Sequence, residues 1–327
     1  MLKNIFITGG AGYVGSALVP KLLKEDYKVK VLDLMIYGQE VLKPHKNLEI
    51  IKGDIRDQNL LKQNIINMDA VIHLACISND PSFELNKELG QDINFNAFEP
   101  LVKISKDCGV KRFIYASSSS VYGIKKETNV NEEMNLQPLT DYSKFKADCE
   151  KILEKHLNSD FTTVTIRPAT VCGFAPRQRL DLVVNILTNL AYHKRTITVF
   201  GGNQLRPNIH IDDMVDAYLL LLRCPDKKIS GKIFNAGYEN FSVEKLSKDV
   251  KSVIGDDVKL IYKKTDDNRS YHISSEKIKS ELGFIPKKNI IDAVKDLQNA
   301  FEKKILRNTL DNEIYFNIKR MKNLNLK

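Results

Sequence analysis

No apolar run in this chain approaches the roughly 20 residues needed to cross a bilayer. The longest stretches, such as Ala217 to Leu222, are far shorter. The opening segment Met1-Leu2-Lys3-Asn4-Ile5-Phe6-Ile7 lacks a signal peptide's long apolar core and small-residue cleavage site, and runs straight into a glycine turn. Secretion and a membrane partner are therefore not expected, and a cytoplasmic location is. No Cys-x-x-Cys pair occurs among the five cysteines (Cys76, Cys108, Cys149, Cys172 and Cys224), so zinc ribbons and redox dithiols have no support. The odd count fits reduced thiols. There is no internal repeat and no Pro/Ser-rich linker. Basic residues lack an interleaved aromatic ladder. The net charge of +9 invites a nucleic-acid reading. Lysines, however, are mixed with acids throughout, as at Lys24-Glu25-Asp26 and Lys125-Lys126-Glu127, which describes solvated surface. No nucleic-acid partner is expected. The excess charge can still draw in a small anionic substrate.

What is present is globular. The 327 residues are 43% hydrophobic and 28% charged, enough for one or two domains. Strand-like and helix-like segments alternate from the start. Short apolar runs at Lys3 to Thr8, Lys28 to Leu34, Leu48 to Lys52, Ala70 to Ala75, Arg112 to Ser117 and Thr162 to Arg167 enclose helical patterns. That order predicts an α/β fold with a doubly wound parallel sheet covered by helices on both faces. After Arg167 the pattern changes, with no hinge-like linker. The expectation is a first unit formed by residues 1–168 and about 206–238. A smaller, interleaved C-terminal α/β unit takes about 169–205 and 239–327. The tail 307–327 has no readable role.

The segment Thr8-Gly9-Gly10-Ala11-Gly12-Tyr13-Val14-Gly15 lies between the first strand and the first helix. Gly9 permits the tight turn, Gly12 lets backbone approach a pyrophosphate, and Gly15 lets the helix pack close to the strand. The helix N-terminus then offers free N–H groups to the phosphates. Asp33 follows Gly15 by 18 positions, where a carboxylate accepts from the adenosine ribose and repels a 2′-phosphate. The cofactor this predicts is NAD rather than NADP. Asp54-Ile55 follows the third strand, where an adenine edge could be read.

Tyr142 and Lys146 are four apart on a helix and share a face. A free phenol, with a pKa near 10, is a poor base at neutral pH. A nearby ammonium and a positive nicotinamide ring favour phenolate, which can then take a proton from a sugar hydroxyl. The strand before this helix ends in Ser117-Ser118-Ser119-Ser120-Val121-Tyr122-Gly123, and a serine there can bond the same oxygen.

Taken together, these segments resemble the extended short-chain dehydrogenase/reductases, specifically the NAD-dependent nucleotide-sugar epimerase/dehydratase family. The carriers, in family order over about residues 1 to 300, are Thr8 to Gly15, Asp33, Gly53-Asp54, His73-Leu74-Ala75, Asn94, Ser117 to Gly123, Tyr142 with Lys146, Arg167-Pro168 and Arg206 to Asp213. The resemblance implies a Rossmann-type fold and a bound NAD. It places catalysis on Ser118, Tyr142 and Lys146. The cofactor contacts it implies are Gly9, Gly12, Tyr13, Val14, Gly15, Asp33, Asp54, Ile55, Leu74 and Ala75, with Tyr142 and Lys146. It also implies a homodimer through the Asn94 and Tyr142 helices, and a nucleotide-diphosphate sugar as substrate. The substrate candidates are Ser118, Ser119, Thr170 and the arginines Arg177, Arg179, Arg206 and Arg269, since a guanidinium suits a diphosphate.

Family dehydratases carry Asp-Glu after the catalytic Ser/Thr; here those positions are Ser119 and Ser120. The expected activity is thus an epimerase acting through transient oxidation at C4 of the sugar, in sugar-nucleotide or surface-polysaccharide synthesis. Two features depart from that pattern. Thr170 replaces a family asparagine. The run Pro176-Arg177-Gln178-Arg179-Leu180-Asp181 resembles a subgroup that includes enzymes oxidising C4 of GDP-heptoses. A C4 dehydrogenase is therefore the alternative, followed by a 4,6-dehydratase and then by a non-catalytic NAD-binding protein. No metal is expected: His210-x-Asp212-Asp213 reads as a helix start and His73 as a packed strand residue.

Overall fold

The computed structural model describes residues 2–38, 40–265, 270–324 and 326. The first half of the chain contains β1 (Asn4–Thr8), α1 (Tyr13–Lys24), β2 (Lys28–Asp33), β3 (Leu48–Lys52), α2 (Gln58–Ile65) and β4 (Ala70–His73). It continues through α3 (Asp80–Phe83), α4 (Lys87–Gln91), α5 (Phe98–Asp107), β5 (Arg112–Ala116), α6 (Asp141–His156) and β6 (Thr162–Pro168). The second half adds β7 (Thr170–Cys172), α7 (Val183–Lys194), β8 (Thr196–Phe200), β9 (Leu205–His210), α8 (Ile211–Arg223), α9 (Asp226–Ile229) and β10 (Lys232–Ala236). It ends with β11 (Glu239–Ser242), α10 (Val243–Ile254), β12 (Lys259–Lys263), α11 (Glu276–Leu282), α12 (Ile290–Glu302) and α13 (Asn317–Leu324).

Seven strands form one parallel sheet in the order β10-β6-β5-β4-β1-β2-β3. This is the doubly wound α/β architecture expected. Ile5-Phe6-Ile7 and Ala70-Val71-Ile72 are fully buried, because a central parallel strand is covered on both faces. One face packs Leu18 and Leu22 of α1 with Tyr218 and Leu222 of α8. The other packs Phe98 and Leu101 of α5 with Leu153 of α6 and Phe113 of β5. The strand order reverses between β1 and β4, and ligands of such sheets bind in the crevice outside that switch point.

The helical pattern expected from Asn94 to Cys108 is broken. A π-type turn spans Asp92–Asn96 before α5 begins. The Asn94 side chain is turned inward, where it accepts from Ile77 N at 2.8 Å and donates to Ile77 O at 2.9 Å. That pins the loop following β4 at the rim of the crevice.

The smaller unit contains two short sheets. β9 pairs parallel with β7 and antiparallel with β11, while β8 pairs parallel with β12. Helices α7, α10 and α12 pack against one another around Val184, Leu246, Val250 and Val294. β9 lies in the stretch expected from sequence to belong with the large unit. β9 is held by β7 and β11, so the chain rejoins at α8, which packs on α1, and at β10. The tail, unreadable in sequence, folds back as α13 against α3.

Candidate active site

The glycine turn is as tight as its spacing requires. Gly9 has φ of +73°, and a Cβ there would lie 2.6 Å from Ala75 N. A Cβ on Gly12 would lie 3.1 Å from Gly9 O, so backbone alone lines this floor. Gly15 acts differently from expectation. A Cβ on it would strike Gly10 O at 2.5 Å, within the turn itself, whereas the close approach to strand β2 falls at Gly10, where an added Cβ would lie 2.7 Å from Val31 Cγ1. Gly12 starts α1 with no side-chain cap and no acidic residue in the first turn. Open amides at such a helix start suit an anion. These features fit a dinucleotide diphosphate.

Asp33 closes the turn from β2. Its two carboxylate oxygens accept from Ala11 N at 2.9 Å and Met35 N at 2.8 Å. Burial raises its pKa, and those two N–H groups oppose the rise. Asp54 is pulled towards Arg56, at 2.8 Å, which outweighs its burial and holds its carboxyl below the ordinary range. Both aspartates, with Val14, Ile55, Leu74 and Ala75, line a cavity of about 710 Å³. Tyr13 serves another purpose as well. Its hydroxyl donates to Gly173 O at 2.6 Å and accepts from Asn185 Nδ2 at 3.0 Å, riveting α1 to the smaller unit.

The same cavity is lined by Ser118, Ser119, Tyr142 and Lys146. Thr140 caps α6 by accepting from Ser143 N, which fixes the helix start beside the β5 end. Ser118 Oγ lies 2.8 Å from Ser120 Oγ and accepts from Ser120 N at 3.1 Å. Lys146, whose ammonium is expected from sequence to favour phenolate at Tyr142, donates from Nζ to Ala116 O at 2.6 Å and stands 6.0 Å from the Tyr142 ring centroid. Burial pushes the Tyr142 phenol above its ordinary value, and Cys76 and Asp80 add to the rise. Arg179 and a hydrogen bond with Ser118 pull the other way. The protein alone therefore keeps the phenol protonated.

Thr170, Arg177, Arg179 and Arg206 also line the cavity. Arg179 pairs with Asp181 at 2.6 Å and donates to Ser78 Oγ at 3.0 Å. Arg177 donates to Asn317 Oδ1 at 2.6 Å. Arg206 Nη1 donates to Leu205 O at 3.0 Å, and its guanidinium lies 5.8 Å from the Tyr271 ring. Arg269 lies outside the described residues. Sequence reasoning missed Tyr37, Cys76, Ser78, Asp80, Asn317 and Met321, all on the cavity wall. Cys76 and Ser78 directly follow the Leu74-Ala75 signal and could have been found by extending it. Nothing in the tail's composition pointed to Asn317 or Met321.

Among the described residues, His210, Asp212 and Asp296 form a group with metal-ligand spacing. Lys288 Nζ already bridges the two carboxylates, at 2.7 Å from Asp212 and 3.2 Å from Asp296. An ammonium thus stands where a cation would sit. His210 also accepts from Asp212 N at 3.1 Å, serving as the cap of α8. Asp213, in the first turn of α8 as expected, is buried and also accepts from Lys287 N and Lys288 N, tying a loop to that helix start. His73 bonds Thr8 at 2.7 Å, and burial drives its pKa down to about 3, so it is a neutral packed residue. Among the described residues no helix is long and apolar enough to cross a membrane.

Comparison with known proteins agrees with this geometry. The family model described as "NAD dependent epimerase/dehydratase family" matches residues 5–237. A UDP-glucose 4-epimerase of Lactobacillus helveticus is 28% identical over 312 residues, covering 89% of this chain and 94% of that protein. A dTDP-D-glucose 4,6-dehydratase of Mus musculus is 30% identical over 308 residues, covering 87% and 84%. The chain spans about half, 52%, of the protein y4nG of Sinorhizobium fredii, at 34% identity over 219 residues (66% of this chain). The solved UDP-glucose 4-epimerase of Thermotoga maritima, with UDP-glucose, superposes with a TM-score of 0.83 at 27% identity, covering 93% of this chain and all of that one. The glycine turn, the parallel sheet and these matches agree on one conclusion: the chain belongs to the NAD-dependent epimerase/dehydratase family.

Proposed function

We propose that this chain is a nucleotide-sugar epimerase working through transient oxidation at C4 of the sugar. The observation that carries the reading is one cavity holding Ser118, Tyr142 and Lys146 beside the glycine turn, with Ser119 and Ser120 where dehydratases place an acid and a base. NAD, when bound, takes up the hydride and returns it, so no net redox change results. The chain's own residues handle the proton and the sugar. Tyr142 Oη, in the deprotonated form that a bound positive nicotinamide would favour, takes the C4 hydroxyl proton and later gives it back. Ser118 Oγ holds that same oxygen in line. Lys146, fixed on the Ala116 carbonyl, keeps a positive charge on the phenol's side of the cleft. Arg206, on the wall with Thr170, is placed to take the substrate diphosphate. The smaller unit sets the nucleotide and the sugar.

A second reading is a C4 dehydrogenase, favoured by Thr170 and by the Arg177-Gln178-Arg179-Leu180-Asp181 run. Incubation with UDP-, GDP-, CDP- and dTDP-sugars, followed by product NMR, separates the two. An epimer with unchanged nicotinamide absorbance supports the first. A keto sugar with NADH supports the second, and no reaction with any sugar removes both. A cytoplasmic homodimer remains the family-based expectation. Exposed positions of α5 and α6 hold Glu99, Lys103, Lys144 and Lys151, and half-buried Phe145 of α6 stacks on Phe95, so such an interface would mix charge with aromatic surface.

A further inference from the structure

Arg177 is 3% exposed, and its Nε and Nη1 atoms have no hydrogen-bond partner. Its guanidinium lies 3.6 Å from the Tyr37 ring centroid, and Nη2 alone is satisfied, by Asn317. The carboxylates that face it are engaged elsewhere. Asp33 holds Ala11 N and Met35 N, and Asp181 pairs with Arg179 and accepts from Asn317 N at 2.9 Å. Burial holds the Arg177 pKa down at about 10, and Arg179 adds repulsion. A buried cation without a counter-ion is costly. The arrangement calls for an anion.

Position says which anion. Arg177 N donates to Ser16 Oγ, in the first turns of α1, and Tyr37 lies just beyond Asp33. This is the end of the cleft at the glycine turn. The tail roofs the same end. Asn317 opens α13 and also donates from Nδ2 to Ser78 Oγ at 3.1 Å. Arg320 Nε donates to Ile36 O at 2.5 Å. Met321 joins the apolar cluster of Ile55 and Ile77, and Met321 and Leu326 line the cavity.

We propose that Arg177 binds the diphosphate of the dinucleotide rather than that of the nucleotide sugar, and that α13, acting through Asn317, is a strap that holds Arg177 and retains the cofactor through turnover. This rests on the NAD reading above. It suits a cycle in which hydride is borrowed and returned, because nothing but sugar nucleotide has to leave.

The test is binding, not turnover. NAD affinity and release rate are measured by calorimetry and stopped-flow fluorescence for wild type, Arg177→Gln and Asn317→Ala, with UDP and GDP as probes of the sugar-nucleotide subsite. Losing a charge-assisted bond to phosphate should weaken NAD by about ten- to hundredfold in Arg177→Gln. Asn317→Ala should speed NAD release, and UDP and GDP binding should stay unchanged in both. Deleting residues 313–327 should speed release further. If that chain does not fold, Asn317→Ala, which leaves Met321 packed, decides. Unchanged NAD binding in Arg177→Gln, or a loss confined to UDP or GDP, overturns the assignment. A wild type that binds no NAD overturns the cofactor reading itself, and this is seen before any variant is compared.

Discussion

Arg167 and Glu150 meet in a two-point ion pair, Nη2 to Oε2 at 2.6 Å and Nε to Oε1 at 3.0 Å, with both side chains buried. The pair joins β6 to α6. Glu150 also accepts from Ser117 at the β5 end, and Arg167 Nη1 donates to Tyr122 Oη at 2.7 Å. Tyr122 in turn donates to Asn235 Oδ1 at 2.7 Å, on β10. The network fixes the serine run against the helix that bears Tyr142 and Lys146.

Glu150→Gln should therefore be severe. It leaves the Arg167 guanidinium buried without its charge partner, a change that costs about 3–5 kcal/mol. Chemical denaturation should show that loss. Wild-type stability in the variant would show the pair to be dispensable.

Tyr142→Phe should lower kcat by about a hundred- to ten-thousandfold, the usual worth of a positioned proton-transfer group. NAD binding should be kept, since the glycine turn and Asp33 do not involve the phenol. A variant with normal kcat would end the phenol's role.

Ser118→Ala should shift the alkaline activation of kcat to higher pH. Burial already raises the phenol, and the Ser118 hydrogen bond is one of the two influences lowering it. Removing it leaves less phenolate at any given pH. A pH–rate profile superimposable on wild type would separate Ser118 from the phenol.

Asp33→Asn should weaken NAD and relax discrimination against NADP. Two carboxylate oxygens accept from Ala11 N and Met35 N, and an amide offers only one acceptor, so one N–H loses its partner. Calorimetry with both cofactors checks this. An unchanged preference would remove Asp33 from the recognition argument.

His73 makes stability fall with acid. Its folded pKa, about 3, lies below its ordinary value of 6.5. The unfolded chain therefore binds the extra proton first. The contribution is complete above pH 6.5 and is lost as pH falls towards 3, at no more than about 1.4 kcal/mol per unit. Replacing His73 by Gln should flatten that slope in denaturation curves taken between pH 7 and 4.

The cofactor half of the site was readable because its signals are local. Gly9 to Gly15 and Asp33 act through backbone shape and one neighbouring strand, and strand β1 declares itself by apolar content. The sheet followed from the alternation for the same reason. What escaped was long-range. Arg177 meets Asn317 only after the tail has folded back, and no composition near residue 317 announces it. Lys146 is four residues from Tyr142, yet its ammonium is claimed by Ala116 O on another element. Spacing shows which residues share a face, not which of several nearby acceptors wins. The break at Asp92–Asn96 was hidden too, because Asn94 is drawn inward by a loop 17 residues away in sequence.

The rivet formed by Tyr13 has a mechanical consequence. The helix that begins at the glycine turn is bolted to Gly173 and Asn185, which belong to the smaller unit. A hinge between lobes would have to tear that bolt or drag α1 along. Motion of residues 173 and 185 is thereby geared to the helix that opens at Gly12.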